Sequence, residues 1–113
     1  MLFADQAQFK ATLEKQSPEA FVEHALFDRV PHIFDGDRAQ YVSWKRALAK
    51  ELDVDAACLT IVGTAALGWS LNPAKNLKAF DAESDVDVAV ISPYHLMTAW
   101  RYLRSRTSRK LIN

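Results

Sequence analysis

Two short apolar runs, "CLTIVG" at 58–63 and "SDVDVAVIS" at 84–92, set the limits on what this chain can fold into. Both are rich in β-branched residues and bounded by turn formers, the pattern of strands rather than helices. Everything before them reads as helix. Residues 4–15 place Phe9 and Leu13 four apart on one face. "SPEAFVEHALFDRV" opens with Ser17 as N-cap and Pro18 at the first helical position, and is expected to run to Pro31. After the turn "FDGDR", a longer helix is expected over about 38–52, with Tyr41, Trp44, Leu48 and Leu52 on one stripe and Lys45, Arg46 and Lys50 opposite. Its aromatic members read as core. Ser92 and Pro93 open a last helix over about 93–106, with Leu96, Ala99, Trp100 and Leu103 at helical spacing.

The order helix, helix, helix, strand, turn, strand, helix predicts an α/β domain: a small mixed sheet with flanking helices. At 113 residues the chain holds one domain. Its helical part spans about 1–56 and its motif-bearing α/β part about 57–113. Two strands are thin for an independent sheet. The fold is therefore expected to be incomplete at the C-terminus, or completed by a protein partner or a second copy.

Composition narrows the setting. Cys58 is the single cysteine, so neither a disulfide framework nor a cysteine-rich metal site is available. No apolar run approaches the ~20 residues of a membrane span, and the N-terminus lacks a signal-peptide pattern. A cytoplasmic protein without membrane contact is expected. Charges balance at fourteen of each sign, yet all the acids lie at or before Asp87. Beyond it stand Arg101, Arg104, Arg106, Arg109 and Lys110 with no acid. That basic segment reads as the solvated face of the last helix or as a contact to nucleic acid. His24, His32 and His95 show no metal-ligand spacing, and Ser70 and Ser84 no nucleophile context.

The chemistry concentrates in the two apolar runs. Side chains alternate along a strand, so Val86, Val88 and Val90 share one face, suited to a core, and Asp85 and Asp87 share the other. At a rise of ~3.3 Å per residue the two aspartates stand about 6–7 Å apart, close enough to share a hard cation or bracket a pair of Mg²⁺ ions. The plainer alternative is a strand start whose acids face water. In "LTIVGTAALGW", a strand ends in Gly63 and Thr64 opens a helical turn. Glycine lets backbone N–H groups approach a phosphate, and a helix start favours negative charge. A Walker-type loop is excluded, because Trp69 stands where its lysine would be, and the GxGxxG dinucleotide spacing is missing.

"VGT" followed by "SDVDVAV" resembles the DNA polymerase beta-like nucleotidyltransferase superfamily over roughly residues 59–92. The resemblance implies Mg²⁺-dependent transfer of a nucleoside monophosphate from an NTP to an acceptor: RNA, protein, nucleotide or small molecule. By position, Gly63 and Thr64 match the turn that grips the triphosphate. Asp85 and Asp87 match the ligands of two Mg²⁺ ions. The interval between Thr64 and Asp85 is longer than in minimal members of the family, so "GWSLNPAKNLKAF" is read as an insertion whose Lys75 and Lys78 could reach the phosphates. The family's third carboxylate has no counterpart, since no Asp or Glu follows Asp87. The alternative expectation is a catalytically incomplete binding or regulatory module, for example in a toxin–antitoxin or defence pair.

Overall fold

A computed structural model describes residues 3–106. Helix α1, Gln6–Lys15, starts where the Asp5 carboxylate accepts the N–H of Gln8 at 2.8 Å. Helix α2, Pro18–Val22, starts on Ser17, whose hydroxyl accepts the N–H of Ala20. The helix expected to continue to Pro31 instead widens into a π turn over Glu23–Phe27, where the N–H of Asp28 reaches back to Glu23. Proline disfavours helical backbone in the residue before it, so the segment had to stop short of Pro31. The wide turn buries Ala25 and lets Leu26 and Val30 pack on the core.

A short 3₁₀ turn, His32–Phe34, ends at Asp35 and Gly36, both with positive φ. Helix α3, Arg38–Leu52, is capped by Asp37 and closed by Asp53 in the left-handed region. Its aromatic stripe packs on Phe34, with ring centroids 5.2 Å away for Tyr41 and 5.7 Å for Trp44. Strand β1, Leu59–Val62, pairs with strand β2, Asp87–Val90, and single-turn helix α4, Thr64–Leu67, follows β1 directly. Helix α5, Pro93–Ser105, begins on Ser92, which accepts the N–H of His95.

The fold is α/β, with five α-helices and one two-stranded sheet among the described residues. The sheet expected to be mixed is antiparallel, with Ile61 opposite Val88 and Val62 opposite Asp87. β2 is also shorter than the run that suggested it: residues 84–86 lie ahead of the ladder. Its core face is only partly covered. Val88 packs against the core, whereas Val86 and Val90 are exposed. β2 is an edge strand, and the helical layer reaches only its middle. That layer is largely aromatic: Phe3, Phe9, Phe21 and Phe34 close over Ile61, Ala65, Ala66 and Leu67. Core residues thus come from both the helical and the motif-bearing parts of the chain.

Candidate active site

The residues between the strands are built as a compact ledge. Gly68 and Phe80 are joined by an N–H···O bond of 2.9 Å, and the N–H of Ser70 donates to Lys78 at 2.8 Å. Asn72 then caps a 3₁₀ turn, Pro73–Lys75. Asn76 and Leu77 reverse the chain with φ of 49° and 58°. For leucine this backbone is strained. It is held by the packing of Leu77 on the core and by Gln6 of α1, whose side-chain amide donates to the carbonyls of Asn76 and Leu77. The insertion read from the sequence is therefore built of hydrogen-bonded turns, and both its lysines line one cavity.

Between this ledge and the sheet lies a cavity of about 250 Å³. Thr64 lines it from the start of α4, Lys75 and Lys78 from the ledge, and Asp85 and Asp87 from the approach to β2. Five of the six residues singled out in the sequence thus surround one space. The sixth, Gly63, sits beneath it. Its φ of 73° suits glycine alone, and a Cβ there would meet an Asp87 carboxylate oxygen at 3.3 Å. The glycine permits the Asp87 carboxylate to lie over the turn. Only Asp87 belongs to the β ladder; Asp85 reaches the cavity from the irregular segment before it. The helix start invoked for phosphate binding is one turn long, so its dipole is slight and the hydroxyl of Thr64 is the larger contribution.

Three further polar residues line the cavity: Ser70, Glu83 and Ser84. Ser70 is almost fully buried, and its oxygen accepts the N–H of Asn72 at 3.1 Å. Glu83 and Ser84 are arranged by Asp81, whose carboxylate accepts the N–H of Glu83 at 3.0 Å and the hydroxyl of Ser84 at 3.2 Å. The same carboxylate pairs with the Lys78 ammonium at 3.0 Å. The hydrogen bond from Lys78, then that from the Glu83 amide, holds the Asp81 carboxyl below its ordinary pKa. The two lysines therefore differ. Lys78 is paired within the ledge, and Lys75 stands at the cavity beside it. Adjacency to Asp85 was the available signal for Glu83 and Ser84, whereas nothing local marks Ser70.

Three carboxylates, those of Glu83, Asp85 and Asp87, line the cavity among hydroxyls and ammonium groups. That donor set suits a hard cation with a polyphosphate, since Mg²⁺ commonly takes one or two protein carboxylates and completes its shell with phosphate and water. Among the described residues, no group of three or more His, Cys, Asp or Glu side chains is close enough to hold a metal by itself.

Other residues fall away from the site. The Trp69 ring stacks on Phe9 with centroids 6.4 Å apart and belongs to the core. His95 meets the Leu52 carbonyl at 2.7 Å. His32 packs on the edge of Phe80, where burial and then Arg29 lower its pKa. Arg101, Arg104 and Arg106 lie at the exposed end of α5, and Arg109 and Lys110 lie outside the described residues. No helix among the described residues is long and apolar enough to cross a membrane.

No protein-family model, curated protein or solved structure matches the chain.

Proposed function

We propose that this chain is a nucleotidyltransferase-like domain that binds an NTP with Mg²⁺ and transfers its nucleoside monophosphate to an acceptor hydroxyl. The observation that supports it is convergence: Thr64, Lys75, Lys78, Asp85 and Asp87, spread over more than twenty residues, line one polar cavity. Asp85 and Asp87 would hold the metal. Thr64 and Lys75 would hold phosphate oxygens, joined by Lys78 on release from Asp81. Gly63 keeps the turn flat enough for Asp87 to lie across it. A bound Mg²⁺ pair would supply charge neutralisation of the pyrophosphate and a lower pKa for the attacking hydroxyl. The protein's own share is positioning: carboxylates and ammonium groups set around one polar cavity. The cytoplasm, where NTPs are abundant, is the proposed setting.

A second reading keeps the nucleotide and omits the chemistry. It is favoured by the sheet: among the described residues β2 is the last strand, and no later strand brings a carboxylate to the cavity. Calorimetric titration of NTP with and without Mg²⁺ tests the site common to both. Wild type is expected to bind only with Mg²⁺, and the folded Asp85→Asn/Asp87→Asn variant to lose that binding. Equal binding by wild type and variant would remove the metal role. Release of pyrophosphate on adding candidate acceptors separates transfer from binding alone.

A further inference from the structure

The least explained surface of the molecule is α5. Every residue of this helix except His95 is exposed. Leu96, Trp100 and Leu103, at intervals of four and three, are 70%, 55% and 46% exposed, with Met97 beside them. Ile91, just ahead of the helix, is also exposed. A contiguous apolar surface of this kind marks an interaction site rather than scattered surface hydrophobes. The charged residues on the helix and its cap are all basic: Arg101, Arg104 and Arg106. Two such helices facing each other would oppose like charges, which argues against a symmetric α5–α5 contact.

An apolar surface flanked by charges of opposite sign exists on the same chain. A shallow hollow of about 360 Å³ runs along α2 and the π turn, lined by Pro18, Val22 and Phe27 together with Glu19 and Glu23. Phe27 is 62% exposed, so α5 of the same molecule does not cover it. The wider charge distribution has the same sense: nine basic and fourteen acidic residues up to Asp87, five basic and none acidic after it. We propose that α5 of one molecule docks its Leu96–Trp100–Leu103 face into the α2 hollow of a second copy, with its arginines over Glu19 and Glu23. The apolar face supplies the contact energy, and the charges select the orientation. The contact pairs two different surfaces, so two copies exchanging it reciprocally close a two-fold dimer, and a one-way contact builds a ring or an open chain. One helix in one hollow sits at the small end of specific interfaces, and the association is reversible on dilution.

The test is analytical ultracentrifugation of the full chain over about a hundredfold range of concentration. Wild type is expected to grow in mean mass with concentration. Two charge-reversed forms are compared, Glu19→Arg/Glu23→Arg and Arg101→Glu/Arg104→Glu, each checked for fold by circular dichroism. Each alone is expected to stay monomeric, because its reversed surface meets a like charge. Their equimolar mixture is expected to associate again, since the basic helix of the first fits the acidic hollow of the second, and the reversed pair fits too. Three results would overturn the proposal: a monomeric wild type, association that survives in either reversed form alone, or two folded forms that fail to associate when mixed. A monomeric wild type that binds single-stranded RNA, and loses it with Arg101→Glu/Arg104→Glu, would assign the helix to nucleic acid instead.

Discussion

The two strands are built from similar residues and meet different fates. In β1, Leu59 and Ile61 are completely buried. In β2, Val88 reaches the core while Val90 on the same face is 38% exposed. Leu59 and Val90 are direct partners across the ladder, so the contrast arises within one pair. It comes from position: with only two strands both are sheet edges, but β1 packs against α4 and the π turn while β2 lies outside that packing. A buried strand stabilises the fold through its side chains. The less covered strand leaves its side chains open to solvent, and β2 presents Asp87 to the cavity.

That contrast can be broken in order of expected effect. Ile61→Ala should destabilise the chain by about 2–5 kcal/mol, because the cavity left under the phenylalanines cannot collapse fully. Val90→Ala should cost less than about 1 kcal/mol. Urea denaturation of both variants measures the difference, and equal losses would mean that β2 is covered in solution. Gly63→Ala comes next. Its strained positive φ should cost about 1–3 kcal/mol, and the new methyl group would press on Asp87. Mg²⁺-dependent NTP binding should fall in this variant while the fold persists, as calorimetry alongside circular dichroism would show.

The smallest effect concerns the ledge. The folded-state pKa of Asp81 lies below its ordinary value of 3.8. Its pairing with Lys78 is therefore complete above about pH 4 and is lost as pH falls through the lowered value. Being solvent-exposed, the pair contributes little to global stability. An NMR titration of the carboxyl should show the depressed midpoint in wild type and its return toward the ordinary value in Lys78→Ala. An unchanged midpoint would mean that the pair does not hold the carboxyl.

Much of the local structure was legible. Ser17-Pro18 and Ser92-Pro93 open helices as their side-chain chemistry requires, and α3 occupies Arg38–Leu52, the span its apolar stripe marked. Two backbone features were not legible: the π turn after Val22 and the late start of β2 at Asp87. Both depend on which neighbour is available to pack or pair, and local propensity carries no record of that. The exposure of α5 has the same origin. Leu96, Trp100 and Leu103 announce a shared face, and periodicity says nothing about whether another surface meets it. At the cavity, residues of recognisable type were visible in the sequence. Ser70 was not, because a serine gains its place there only when the ledge folds back over it.

The bonds from Gln6 to Asn76 and Leu77 span some seventy residues of chain. They mean that the motif cannot be transplanted on its own. A peptide cut to residues 59–92 would contain every side chain of the cavity wall yet lack the scaffold. Ile61, Ala65 and Leu67 would lose Phe9, Phe21 and Phe34, and the left-handed turn that presents Lys75 would lose its anchor. The letters of the site are local; the place where they meet belongs to the whole chain.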